Sequence, residues 1–437
     1  MKATEITEKT AKNAWRVMFL LFLANILNFY DRVIPSIVME PIRHEWGLTD
    51  TQIGWVNTGF TLMYALAGIP LARLADLGVR KHIMSGGLLL WSGLTALNGM
   101  VSGFWGFLLA RIGIGVGEAS YGPAANSLIA DLFPEHKRGR AMSLFMLGLP
   151  IGLLLAFFTT GWVIEFFANW RAAFFVAAIP GVLLAICIAF INEPVRQTIN
   201  EVKKQESSWK LLKVPTLWML TAAGLFYNFA TYTNTAFMVP LLQRHYLLDI
   251  KQASVSVGII VGVTGLLGLP LAGFIADKLH KSVQNGRLLF AAFTIALSAL
   301  LTGWALYTDE LSVIIFVGLF ALAWFFAYSF YTSVYTVIQE IVAAHLRARA
   351  MALFFAGLYL LGGGLGPVIA GALSDFFASN AMLAAGVSEM NEVFKAQGLR
   401  LAMLAIPCGF LLTSLCLVFS IRFYPADKRQ AQQMENN

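Results

Sequence analysis

Charge is what this chain has least of. Only 13% of its 437 residues are Asp, Glu, Lys or Arg, while 58% are hydrophobic; soluble globular domains carry about twice that charged share. The apolar residues run in blocks of about 20, the length of a membrane-spanning helix, whereas buried strands run about 4–8 residues, so a soluble α/β domain does not fit. Cysteine is nearly as scarce. Cys187, Cys408 and Cys416 all lie in apolar blocks, at spacings that form neither a metal site nor a disulfide framework. The six histidines, His44, His82, His136, His245, His280 and His345, fall at or near polar breaks. No histidine can therefore relay a proton from within a span. Nucleotide loops, metal sets and nucleophile–base motifs are missing too, which argues against an enzyme and leaves no catalytic residue, metal or cofactor to expect. Without an ATP-binding cassette, any transport would draw on an ion gradient or on the substrate's own.

Twelve apolar blocks begin near Trp15, Thr51, His82, Phe104, Ala141, Ala172, Trp218, Ser254, Arg287, Leu311, Met351 and Leu399. The first is too long for a cleavable signal, and Asn25, Asn28 and Asp31 interrupt it. The net charge of +7 is a topology signal. With alternating spans and a cytoplasmic N-terminus, most Lys and Arg fall in cytoplasmic segments, Lys203, Lys204, Lys210 and Lys213 loading one loop. Both termini are therefore expected to be cytoplasmic, and nucleic acid is not an expected partner. The reading is a multi-pass, monomeric protein of the cell membrane, the inner membrane if bacterial.

The longest polar break, 192–213, separates six blocks from six. The halves resemble one another. "SLIADLFPEHKRGRAMSLF" at 127–145 aligns without gaps to "TVIQEIVAAHLRARAMALF" at 336–354, and "GIPLARLAD", ending at Asp76, matches "GLPLAGFIAD", ending at Asp277. The expected organisation is all-α: 12 transmembrane helices in two pseudo-symmetric six-helix halves, 1–191 and 214–437, joined by a cytoplasmic linker at 192–213. Such a duplication about an axis along the membrane normal belongs to a transporter plan with its substrate site at the midplane between the halves.

The loop Ala72-Arg73-Leu74-Ala75-Asp76-Leu77-Gly78-Val79-Arg80-Lys81 resembles the Gly-x-x-x-Asp-Arg-x-Gly-Arg-Arg signature of the major facilitator superfamily, departing from it at Ala72, Leu77 and Val79. Gly273, Asp277 and Lys278 repeat part of it, and Arg111 followed by Gly113, Gly115 and Gly117 matches that family's fourth span. A narrower resemblance is to its Spinster-like lysolipid transporters. It rests on Asn28-Phe29-Tyr30-Asp31-Arg32, Gly115-Val116-Gly117-Glu118-Ala119, Ile129 through Pro134, and Gly364-Leu365-Gly366-Pro367 through Ser374-Asp375. The resemblance implies that two acids, Asp31 and Glu118, and an arginine, Arg111, couple transport to protons.

The residues point the same way. Charge inside a bilayer is costly and marks function by default. Arg111 and Glu118 lie two turns apart on one helix face, about 10 Å along the axis, too far for mutual contact. By depth, Asp31 and Arg111 both fall in the outer half of the bilayer, so they are expected to pair, leaving Glu118 deeper and less neutralised. Proton coupling would use Asp31 and Glu118; the alternative is a fixed ionic lock. Arg32 either faces a cavity or snorkels to the interface. In the second half, Asn228, Thr231, Tyr232 and Thr235, and likewise Tyr328, Tyr331, Thr332 and Tyr335, form polar stripes that line a cavity or bond helix to helix. Charges at the cytoplasmic helix ends, Asp76, Arg80, Lys81, Asp131, Arg138 and Arg140 with Asp277, Lys278, Glu340, Arg347 and Arg349, are candidates for a gate pairing across the halves, or serve topology alone. A charged half and an aromatic half suit an amphiphile with an anionic or zwitterionic head better than a sugar. The expected function is proton-coupled transport of lysophospholipid-like amphiphiles by alternating access; the alternative is proton symport of small organic anions, such as aromatic or sugar acids.

Overall fold

The computed structural model describes residues 2–194, 208–308 and 311–436. Among them the chain is helical throughout, with no strand. Two compact units result, Met1–Trp46 with Gly59–Glu201, and Gly47–Thr58 with Val202–Asn437. The first contains α1 (Lys2–Trp46), most of α2 (Asp50–Leu77), α3 (Arg80–Asn98), α4 (Phe104–Ala119), α5 (Tyr121–Leu132), α6 (Glu135–Met146), α7 (Gly148–Phe167) and α8 (Arg171–Ala189). The second contains the start of α2, then α9 (Pro215–Tyr246), α10 (Ile250–Val257), α11 (Thr264–Ser282), α12 (Gly286–Tyr307), α13 (Val313–Ala327) and α14 (Ser329–Glu340). It ends with α15 (Arg347–Ala356), α16 (Gly364–Ala384), α17 (Glu392–Met403) and α18 (Ala405–Asn436). The expected linker at 192–213 lies largely outside the described residues.

Nine helical stretches among the described residues are long and apolar enough to cross a membrane. Side chains such as Trp162, Phe166 and Ile314, between 56% and 83% exposed, cover their outer faces, which suits lipid rather than water. The fourth expected span is not one helix. It breaks at Ser120, one residue past Ala119, where the serine hydroxyl donates to the Gly117 carbonyl at 2.8 Å; such back-bonding bends helices. The tenth breaks likewise at Tyr328, between α13 and α14. The three cysteines are free thiols within helices.

Each unit contains the same joint. In the first, Asn25 of α1 donates to the Phe145 carbonyl at 2.7 Å, at the break between α6 and α7. In the second, Asn228 of α9 donates to the Leu358 carbonyl at 2.9 Å, inside a π-helical turn, Gly357–Gly363, that joins α15 to α16. Gly148 and Gly152, and their counterparts Gly362 and Gly366, bring the backbones together. An added Cβ at Gly152 would collide with the Ile26 carbonyl, and one at Gly362 with that of Leu225. A second π turn, Gly258–Val263, precedes α11, and the Tyr328 hydroxyl donates to its Val261 carbonyl at 2.6 Å. Wider turns disturb the regular hydrogen-bond ladder, and these carbonyls take their bonds from neighbouring helices.

Candidate functional site

The buried charges of the first unit form one cluster on α1 and α4. Asp31, Arg111 and Glu118 are each 1% exposed. Glu118 does not take Arg111 as its partner. Its Oε2 accepts from Arg32 Nε at 2.8 Å, and Arg32 Nη2 also donates to Asn28 Oδ1 at 3.1 Å. The reason is the lean of helical side chains toward their own N-terminus. Arg32 runs back one turn along α1 to the level of Asn28, and there meets the deeper Glu118 of α4. The snorkelling alternative is thereby not adopted. Its guanidinium lies 4.3 Å from the Tyr64 ring centroid and 4.9 Å from that of Phe29, a cation–π setting that desolvation strengthens. At 13% side-chain exposure, Arg32 alone of the cationic pair reaches the surface.

Arg111 sits one level outward. Its Nη2 approaches the Arg32 carbonyl at 3.4 Å and its guanidinium lies over the Phe60 ring at 4.6 Å. Asp31, its expected partner, lies close enough to interact electrostatically but makes no hydrogen bond to it. Neither Asp31 oxygen meets a donor in full hydrogen-bond geometry, and the Trp91 indole N–H beside it is likewise without a well-formed bond. Glu118 Oε1, Asn28 Nδ2 and Arg111 Nε are unmet as well. Buried polar atoms are nearly always paired. A knot of unmet donors and acceptors around two acids and two arginines is a poor stabilising device and a site able to hold or pass a proton.

The second unit offers aromatic surface instead. Tyr331 and Tyr335 meet edge to face at 5.6 Å, and Tyr335 continues the contact to Phe354 and Phe355. Thr231, Tyr232, Thr235, Tyr331, Thr332 and Tyr335 are all partly exposed. Asn228 and Tyr328 are buried and occupied in the helix joints described above. Thr235 donates to the Thr231 carbonyl at 2.9 Å and Thr332 to that of Ser329 at 3.2 Å.

At the helix ends proposed for a gate, the described pairs lie inside each unit. Arg80 binds Asp131 at 2.5 Å and Glu193 at 2.6 Å. In the second unit the central cation is Arg287, which the sequence motifs did not single out; it binds Asp277 at 2.7 Å and also Glu340, which Lys428 reaches at 2.8 Å. Lys81 donates to the Ile191 carbonyl at 3.2 Å. Arg138 donates to the Ala130 carbonyl and Arg347 to the Gln339 carbonyl, at 2.8 and 2.9 Å, the same helix-end cap at matching positions of the two repeats. Arg140 and Lys278 are exposed and Arg349 half-exposed, while the side chain of Asp76 lies outside the described residues.

A further site, without a sequence signal strong enough to assign it, clamps the start of α2 within the second unit. Arg244 of α9 holds Asp50 bidentately at 2.7 and 2.8 Å, with both side chains almost fully buried. Ser374 donates to the same carboxylate at 2.6 Å. Asp375 accepts from the backbone N–H of Asp50 and of Thr51, at 3.0 and 2.9 Å, and from the Thr51 hydroxyl at 2.5 Å. It thus supplies from α16 the cap that helix N-termini need. Substituting Asp375→Asn turns one acceptor into a donor facing donors. The expected cost is about 1–3 kcal/mol, read as a lower melting temperature of the purified protein; an unchanged melt would refute the cap.

Comparison with known proteins gives five findings. A family model described as Major Facilitator Superfamily matches residues 21–367. An MFS-type efflux pump of Mycolicibacterium smegmatis is 30% identical over 83% of this chain and 85% of its own length. Two other curated relatives differ in what their names record. A probable L-galactonate transporter of Escherichia coli is 30% identical over 60% of this chain and 62% of its own length. The sphingosine-1-phosphate transporter SPNS2 of Xenopus tropicalis is 24% identical over 95% and 83%. Among solved structures, a bacterial homologue of the human lysosomal transporter Spinster superposes with a TM-score of 0.83 at 25% identity, covering 94% of this chain and 97% of that one.

Proposed function

The chain belongs to the Major Facilitator Superfamily, as a multi-pass membrane transporter rather than an enzyme, and we propose that it couples proton movement to the transport of lysophospholipid-like amphiphiles across the cell membrane by alternating access. One observation carries the reading: the Arg32–Glu118 ion pair at 2.8 Å, in which the arginine is partly accessible and the glutamate is not. With all four side chains ionised, Asp31, Arg32, Arg111 and Glu118 balance. A proton on Glu118 leaves the cluster at one net positive charge and releases Arg32 Nε. The released guanidinium then holds an anionic head group by charge-assisted hydrogen bonds, while Phe29, Phe60 and Tyr64 receive its apolar part. Proton and anion thus favour one another's binding, and such coupling is reciprocal.

The sphingosine-1-phosphate-transporting relative supports an amphiphile with a phosphate head. The L-galactonate relative supports the second reading, a small organic anion gripped by the same arginine. Proteoliposome uptake under an imposed pH gradient separates them. Lysophosphatidic acid is expected to accumulate at least tenfold over a gradient-free control, with apparent affinity rising as pH falls. Uptake of L-galactonate with no lysolipid signal would overturn the amphiphile reading, and pH-independent uptake of either would overturn proton coupling.

A further inference from the structure

The unmet polar atoms of the first unit do not stop at the charge cluster. They continue along α3. Trp91, Thr95 and Asn98 stand at i, i+4 and i+7, one face of the helix, and each is at most 1% exposed. The Trp91 indole N–H, the Thr95 hydroxyl and both amide atoms of Asn98 make no well-formed hydrogen bond among the described residues. This face starts beside Asp31, next to the Trp91 indole. It ends where α3 ends, since Asn98 is its last residue, about 10 Å farther along the axis. The positive-inside bias makes that end the outer one.

Two comparisons set the stripe apart from ordinary packing. Ser92, on a neighbouring face, is also buried and unmet, but it is pressed against α8, where a Cβ at Gly181 would collide with its hydroxyl. In the second unit, α12 also carries buried hydroxyls. There Thr294, Ser298 and Thr302 each donate to the carbonyl one turn back, at 2.8, 2.9 and 2.8 Å, the usual recourse of a helical hydroxyl. Thr95 does not take it. A buried hydroxyl or amide without a partner costs about 1–3 kcal/mol unless ordered water meets it. Residues three and four apart on one face lie about 5–6 Å apart at Cβ, a gap that one bridging water spans.

We infer that α3 carries the proton path between the outer face and Asp31, along waters held at Asn98, Thr95 and Trp91. The inference rests on the proton coupling proposed above. Asn98 anchors water at the outer end with two donors and an acceptor. The Thr95 hydroxyl accepts from one water and donates to the next. Each hop takes up one proton and hands one on, so water and hydroxyl end unchanged and the Asp31 carboxylate becomes a carboxylic acid. The Trp91 N–H donates only, so it orients the last water and passes no proton. The charges nearest Asp31 are Arg111 and Glu118 of α4, and Arg32 of α1, which Glu118 holds. Tyr64 of α2 lies against Arg32, Tyr121 of α5 donates to the Leu21 carbonyl, and Arg171 of α8 is held by Glu45. Between Trp91 and Asn98, α3 itself has no ionisable side chain, so water carries the proton along it.

Infrared spectroscopy of the full chain in a tethered membrane tests the path. Anchored to a gold film through its C-terminus, the protein meets an acid pulse from the outer face. The carboxylic C=O band that Asp31→Asn removes reports the proton's arrival. Thr95→Val and Asn98→Leu are each expected to slow the rise of that band at least tenfold and to leave its final height unchanged. Thr95→Ser keeps the parental rate, and Ser92→Ala, on the packed face, changes nothing. Because valine removes a buried unmet hydroxyl, Thr95→Val should not lower the melting temperature. Parental rates in both Thr95→Val and Asn98→Leu would overturn the inference, as would an Asp31 band that never appears between pH 9 and pH 4. Uptake independent of pH, with the band still slowed by Thr95→Val, would refute the coupling to transport and leave the path standing.

Discussion

Arg32→Gln is expected to lower transport about a hundredfold, more than Glu118→Gln does, although the two substitutions remove the two ends of one ion pair. Glutamine at 118 keeps an oxygen for Arg32 and places an amide where a proton-binding carboxylate stood. Transport should lose its pH dependence while folding survives. Glutamine at 32 leaves Glu118 1% exposed with its one hydrogen-bonded cation gone. Stranding one partner of a buried pair costs about 3–5 kcal/mol of stability, so Arg32→Gln should also melt well below the parent protein. The double substitution Arg32→Gln with Glu118→Gln removes the stranded charge. It should melt close to the parent protein, while transport stays low and pH-independent. Initial uptake rates from pH 5.5 to 8, with melting temperatures of the same samples, check all three. If the double variant melts as low as Arg32→Gln, the pairing is not what Glu118 depends on.

The second large effect concerns folding. Valine at Gly152 or at Gly362 would place Cβ inside the space of a neighbouring carbonyl, that of Ile26 or Leu225. The opposing atom is main chain, so no side chain can rotate aside. Overpacking of this kind costs about 1–3 kcal/mol where neighbours yield, and more where they cannot. Loss of monodisperse protein is the expected result, measured by size-exclusion chromatography of detergent extracts. Gly303→Ala is the matched control, since its Cβ would find Pro407 at an ordinary 3.6 Å and should change nothing. Normal yield of either valine variant would show that the joint is looser than its geometry implies.

Periodicity and composition were enough to read the helices and the membrane, because each depends on residues near one another in the chain. The contacts that set the chemistry depend on direction as well as order. Depth along the helices paired Asp31 with Arg111 and left Glu118 apart. The backward lean of Arg32 reversed that, and depth alone does not encode a side chain's lean. The clamp on α2 was out of reach for another reason. Asp50 stands far from Arg244 and farther from Ser374, and a lone acid at a helix start reads as an ordinary N-terminal residue. Ser374 and Asp375 were visible as part of a family resemblance, but without a role. The break after Glu118 hid inside an unbroken apolar run, where a serine looks no different from any other small residue.

The shared joint also aligns α1 with α9. Counting along α9 from Asn228 as along α1 from Asn25, Asp31 corresponds to Asn234 and Arg32 to Thr235; by the gapless 127–145 and 336–354 frame extended upstream, Glu118 corresponds to Ala327. Asn234 is buried with both amide atoms unmet, as Asp31 is with its carboxylate. At these positions the second unit therefore carries neutral side chains where the first carries charged ones, while the contacts of the joint are kept. The joint between helices thus forms in the second unit without the cluster of two acids and two arginines that accompanies it in the first.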